Sequence, residues 1–194
     1  MLALAHPMAA RITIIESQAR WPAEFVALKG LVKAAVPAVG VIHHIGSTAV
    51  PGLAAKDVID LQLTVADLAA FDDAGLCGDG FLPLPHLSDH CPAGMDLPTA
   101  DLAKRFYRGP ARPANLHVRQ AGRFNQRYAL LCRDYLRAHP AAAASYGHIK
   151  RHLATQAPTD PDFYYAIKGP VFDLLVTGAE HWARATGWLV PPGD

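Results

Sequence analysis

Residues 41–65 read VIHHIGSTAVPGLAAKDVIDLQLTV. Val41, Ile42 and Ile45 favour β structure and run straight into Gly46-Ser47. Glycine adopts backbone angles closed to other residues and lets another group come close. A turn that aims successive N–H groups at one spot forms a concavity for an anion such as phosphate. Ser47 and Thr48 add hydroxyls there, and Pro51-Gly52 marks a second turn. After Lys56 the chain alternates: Ile59, Leu61, Leu63 and Val65 on one side, Val58, Asp60, Gln62 and Thr64 on the other. A period of two predicts a strand with one buried and one wetter face. The stretch therefore reads as strand, glycine turn, loop, strand, with Asp60 beside the turn.

HIGSTAVPGLAAK at 44–56, followed by IDL at 59–61, resembles the GrpB family of bacterial proteins. FNQRYALLCRDYLRAHP from Phe124 and YYAIKGPVFDLLVTGAEHW from Tyr164 extend the likeness from about Ile12 to Trp182. The resemblance implies an α+β fold: a nucleotidyltransferase-like mixed β-sheet with flanking helices and a C-terminal helical segment. It divides the chain into a core over 1–122 and helices over 123–194, either as two parts or as one domain.

Proteins of that fold class combine a glycine-serine turn with a carboxylate–apolar–carboxylate pair on the next strand, and take a third carboxylate from a later strand. Two Mg²⁺ ions ~3.5–4 Å apart would then clamp the attacking and leaving oxygens of an in-line displacement. Here Gly46-Ser47 is followed, after twelve residues, by Asp60-Leu61-Gln62. The spacing fits, but Gln62 replaces the second carboxylate. The third position falls near Asn115 or His117, neither of them acidic. Phosphate binding is thus expected to outlast transfer activity. Mg²⁺ or Mn²⁺ is the expected ion if the chain is an active metal-dependent nucleotidyltransferase. In a further alternative, Asp60, His44 and His117 (with Gln62 nearby) hold one metal for hydrolysis, since imidazole suits ions such as Zn²⁺ or Mn²⁺.

The rest of the chain sets limits. About half the residues (51%) are apolar, and the net charge is +1, so there is no global electrostatic case for nucleic acid. No apolar run approaches the ~20 residues needed to span a bilayer. The start, MLALAHPMAARITIIES, lacks the basic and apolar regions of a signal peptide. Cys77, Cys91 and Cys132 lie far apart and read as free thiols of a cytoplasmic protein. Arg11–Ile15 is a strand candidate, Trp21 to about Val36 a helix, and Ala66–Leu76 a short helix. Gly80–Leu84 reads as a strand, and Lys104–Arg108 with Asn115–Gln120 as a hairpin. Helices start near Arg123, after Pro140 and at Thr159 or Asp160. Residues 83–102 contain four prolines and Gly94. They exclude a regular helix or inner strand and read either as a lid over the site or as a surface loop.

The candidate residues each carry a plainer reading. His43 and His44 face opposite sides of their strand, and parity with Gly46 assigns His44 to the cleft. Asp60 could instead be a carboxylate paired with Lys56, Lys104 or Arg108. Lys56, Lys104, Arg108, Lys150 and Lys168 are the candidate phosphate-binding cations, with surface solvation as the alternative. His148 and His152 have chelating spacing but read as a solvated helix face. His86, Asp89, His90 and Cys91 read as loop residues. The expected partner is a nucleotide or phosphorylated small molecule bound at Gly46, Ser47 and Thr48, with Asp60 and His117 as the catalytic candidates.

Overall fold

A computed structural model describes residues 11–37 and 40–194. The signal-peptide reading of residues 1–10 lies outside them. The elements run α1 (Trp21–Ala35), β1 (Val41–Ile45), a 3₁₀ turn (Ser47–Ala49), β2 (Ile59–Val65), α2 (Ala74–Gly78) and β3 (Leu82–Leu84). They continue with α3 (Thr99–Leu102), β4 (Arg105–Arg108), β5 (Ala114–Gln120), α4 (Phe124–Ala138), α5 (Pro140–Gln156) and α6 (Pro161–Thr186). The five strands form one mixed sheet in the order β1-β2-β5-β4-β3. Only β2 and β5 are parallel. The α+β mixed sheet expected from the sequence is what forms.

β2 lies inside the sheet, between β1 and β5, and its alternation decides how the sheet is covered. Ile59, Leu61 and Leu63 are fully buried and meet Phe25, Leu28 and Val32 of α1. Each such side chain contributes ~1.5–3 kcal/mol on leaving water. The opposite face carries Asp60 and Gln62, flanked through the strand register by Ile45 and His43 on β1 and by Asn115 and His117 on β5.

The C-terminal helices roof part of that second face. Gln126 at the start of α4 accepts a hydrogen bond from Gln62 Nε2 at 3.0 Å. Val50 and Leu53 after the glycine turn pack with Leu136, Ala143 and Tyr146 of α4 and α5. α6 begins where expected, with Asp160 accepting from the Phe163 N–H at 2.9 Å. Its far half closes on α4 through Leu131, Ala179 and Ala183.

Three elements differ from the sequence reading. The proline-rich 83–102 segment, read as excluding a regular helix, closes on a single helical turn, α3 (Thr99–Leu102), which starts only after Pro98, the last of its four prolines. The 11–15 segment makes a single bridge, Ile15 to Ala55, while the Ile12 N–H goes to Pro158 O. The helix expected over 66–76 shrinks to 74–78. The carboxylates of Asp67 and Asp72 capture the N–H groups of Ala69 and Ala74, at 2.8 and 3.0 Å. Such local bonds offer the backbone an alternative to helix.

Candidate functional site

The turn after β1 is built for close approach. Gly46 has φ 70° and ψ −170°, a region open essentially to glycine alone. Asp60 lies directly against it: a Cβ on residue 46 would stand 2.5 Å from Asp60 Oδ2. Ser47 then opens the 3₁₀ turn, whose first N–H groups have no acceptor within the turn. The hydroxyl of Ser47 accepts a hydrogen bond from Lys150 Nζ of α5 at 2.7 Å.

These groups border a cavity of about 360 Å³ between the sheet and the C-terminal helices. Three lysines enter it from different elements: Lys56 from the loop before β2, Lys150 from α5 and Lys168 from α6. Each has an aromatic neighbour. Lys56 Nζ bonds Tyr165 Oη at 2.5 Å, Lys150 Nζ lies 4.6 Å from the Tyr146 ring centre, and Lys168 Nζ lies 5.7 Å from that of Phe172. Lys150 is 2% exposed. Burial, then the charges of Lys168, Arg151 and Lys56, pull its pKa down to about 7. Lys168 is lowered as well, by burial and then by Lys56. The cluster is short of negative charge.

Asp60 is the carboxylate facing these lysines. Asn115 Nδ2 donates to its Oδ1 at 2.8 Å, and His117 Nε2 lies 3.8 Å from the same oxygen. Burial alone would raise Asp60, but His117, Asn115 and Lys56 together bring it below its ordinary value. Burial and the charge of Arg119 lower His117 to about 4. The imidazole is therefore uncharged at neutral pH, and it acts on the carboxylate there as a neutral N–H beside Asn115 and Lys56. Arg119 Nη2 lies 3.3 Å from His117 Nδ1. That contact makes Nδ1 the acceptor and leaves the proton on Nε2, toward Asp60.

Other expected site residues lie elsewhere. His44 is on the face opposite Asp60, stacked on Phe25 with ring centres 4.7 Å apart, and its Nε2 bonds Thr48 Oγ1 at 3.0 Å. Parity with Gly46 misled because Gly46 leaves the strand. The register pairs Ile45 with Asp60 and so puts His43 on that face, where Pro191 O engages its ring. Thr48 also reaches Val58 O, so its hydroxyl serves the loop rather than the cavity. Gln62 is fully buried, with Oε1 accepting from Arg119 Nη1 at 2.6 Å. It has no oxygen to offer an ion. Arg108 pairs with Asn115 across the strands but stands exposed, outside the cavity lining. Lys104 is turned to Asp89 at 2.6 Å.

Among the described residues no group of three or more His, Cys, Asp or Glu is arranged to hold a metal ion. The Asp60/His44/His117 site is therefore not formed. The two-metal carboxylate set is also incomplete, because Asp60 has Gln62 and Asn115 where further acids would stand.

Sequence reading missed Tyr146, Tyr165, Asp89 and Arg119. Tyr146 and Tyr165 stand four and three residues before Lys150 and Lys168, a helical spacing that could have flagged them. Asp89 has no periodic signal, since it comes from the irregular 83–102 segment.

Known proteins resemble the chain in sequence and in fold. The chain is 36% identical over 201 residues to the dephospho-CoA kinase of Mycolicibacterium paratuberculosis, covering 92% of this chain but 48% of that protein. It thus spans about half the length of that relative. It is 32% identical to the UPF0157 protein SCO7215 of Streptomyces coelicolor, over 85% of this chain and 82% of that one. The crystal structure of the conserved protein GrpB from Enterococcus faecalis superposes with a TM-score of 0.70 at 25% identity, covering 88% of this chain and 99% of that one. The sequence pattern of the family described as GrpB protein matches residues 11–177, and the chain belongs to that family.

Proposed function

We propose that the protein binds a nucleotide or another phosphorylated ligand, with a phosphate seated on the Gly46-Ser47 turn between Lys56, Lys150 and Lys168. The observation that carries this reading is the buried Lys150 ammonium resting on Ser47 Oγ, beside two more lysines and one carboxylate. Buried cations without matching anions are costly. A dianionic phosphate would supply the missing charge and accept from the donors at once. The aromatic walls give a base or other planar group a surface to stack on.

The arrangement supports binding better than nucleotidyl transfer. A two-metal clamp needs several anionic oxygens. Beside the glycine turn Asp60 supplies them, with one oxygen already accepting from Asn115, and the other carboxylate of the lining, Asp89, is taken up by Lys104, Arg119 and Asn125. The family likeness keeps a nucleotidyltransferase-like ancestry as part of this proposal. The name of the mycobacterial relative adds phosphorylated coenzyme A precursors to the ligands worth testing. The chain has no GxxxxGK[ST] run, so a P-loop phosphate cradle is not part of the proposal. Among the described residues no helix is long and apolar enough to cross a membrane. With three free thiols, a reducing cytoplasmic setting is part of the same proposal.

Thermal shift and calorimetry with ADP, inorganic phosphate and dephospho-CoA provide the test. A ligand at a hundred times its Kd stabilises the fold by ~2.7 kcal/mol. Lys150→Met and Lys168→Met should remove that gain. No stabilisation of the parent by any of these compounds would refute the proposal.

A further inference from the structure

Asp89, Arg119 and Asn125 line the same cavity, and with Lys104, which stands outside the lining, they form a second cluster of donors that the protein fills with its own carboxylate. Asp89 accepts from Lys104 Nζ at 2.6 Å, from Arg119 Nε at 2.9 Å and from Asn125 Nδ2 at 3.1 Å. Lys104 and Arg119 are 10% and 6% exposed at their side chains. Burial would raise the Asp89 carboxyl, but the charges of Arg119 and Lys104 hold it well below the ordinary carboxylate range. Three donors converging on two carboxylate oxygens is also how a protein grips a phosphate. Asn125 adds a buried Oδ1 that has no partner among the described residues. An acceptor of that kind could meet a ligand hydroxyl or amine.

Asp89 is delivered by a segment whose apolar anchoring within 86–95 is confined to Pro92, which is buried. Leu87 is 65% exposed and Met95 44%. The segment's base is a short ladder, with Asp89 N–H to Leu102 O at 2.8 Å and Lys104 N–H to Leu87 O at 2.9 Å. Its outer end is latched to α6, where His90 Nε2 lies 2.8 Å from Asp173 Oδ1. Tyr128 Oη donates to the same oxygen at 3.1 Å. The strap therefore crosses from the sheet to the last helix and is fastened mainly by polar contacts. Segments with few buried apolar contacts open at low cost. Polar fastenings can be exchanged for equivalent ones on a ligand.

We infer that Asp89 occupies an anion subsite of this cleft and that residues 86–95 form a displaceable strap, which a ligand with a second acidic group lifts by taking the place of the carboxylate. This rests on the phosphate reading of the same cavity, and it adds the ligand class: a molecule with two separated anionic groups. One group goes to Ser47 and the three lysines. The other goes to Lys104, Arg119 and Asn125.

Inorganic phosphate titrated into the full chain tests this by stoichiometry. The parent should bind one phosphate and Asp89→Ala two, with the second lost again in Asp89→Ala/Lys104→Met. If Asp89→Ala binds no more than the parent, the inference is overturned, whatever the parent binds. If the parent binds none and Asp89→Ala binds one, the strap subsite stands and the Ser47 reading fails. Should Asp89→Ala not fold, hydrogen exchange in the parent decides the matter. Saturating tripolyphosphate should speed exchange of the Asp89 and Lys104 amides by about tenfold, since loss of ~1.4 kcal/mol of protection is one decade. Unchanged or slower exchange overturns the inference.

Discussion

Replacing Lys150 by methionine should stabilise the free protein while abolishing anion binding. Lys150 is 2% exposed, and its pKa falls from 10.5 to about 7. That fall corresponds to ~4–5 kcal/mol spent on holding the ammonium in place. Methionine keeps the length of the stem and removes the charge. Against the relief stand the lost bond to Ser47, about 1–2 kcal/mol, and imperfect repacking, about 1 kcal/mol. The net gain is then ~1–3 kcal/mol, or roughly 2–12 °C in Tm for a chain of this size. The sign depends on pH. A lysine depressed in the folded state disfavours folding fully below its folded pKa, and the penalty fades as pH rises from about 7 toward 10.5. The variant's advantage should be complete at pH 6 and turn into a deficit of ~1–2 kcal/mol near pH 10, where the lysine penalty is nearly gone and the lost bond and repacking remain. Thermal unfolding of both proteins at the two pH values, without anions, is the assay. A variant less stable than the parent at pH 6, or an advantage indifferent to pH, would refute the reasoning.

Sulfate does not titrate near neutrality, so its binding reports the protein alone. Affinity should weaken above pH 7 by up to ~tenfold per pH unit, because Lys150 must regain a proton to meet the anion. A flat calorimetric profile from pH 7 to 9 would contradict this. Gly46→Ala places a Cβ 2.5 Å from Asp60 Oδ2 at a φ of 70°. It should cost ~3 kcal/mol through strain and displacement of the carboxylate, read as a fall in the denaturation midpoint, and weaken sulfate binding as well. Leu61→Ala, at a fully buried position on the far face of the sheet, should cost ~2–5 kcal/mol. It should leave the sulfate affinity of the folded fraction as it was, so equal losses in both measurements would count against the two-face description.

The sequence foretold most of the frame because its signals are periodic. The alternation through Ile59, Leu61 and Leu63 marked β2, and the prolines at 22, 140 and 161 stand at the helix starts observed. Gly46-Ser47 and Asp60 come together as their spacing implied, and Lys150 and Lys168 reach the same cavity. What failed was whatever depends on how strands meet. The side taken by His44 is set by the pairing of Ile45 with Asp60, and no reading of β1 alone contains that pairing. The partners of Gln62 and Lys104 are Arg119 and Asp89, 57 and 15 residues away. Asp89 comes from a proline-rich segment with no periodicity, so its capture of two buried cations had no local signature. The short helix expected at 66–76 was undone by two aspartates whose side chains bond the nearby backbone.

A crystal structure of the chain with a nucleoside diphosphate decides whether a phosphate settles on the Ser47 turn among the lysines. A phosphate group should lie within hydrogen-bond distance of Ser47 Oγ and Lys150 Nζ, at the place where these two atoms now lie 2.7 Å apart. A nucleotide bound elsewhere on the surface, with that pair unchanged and the cavity without phosphate, would contradict that placement.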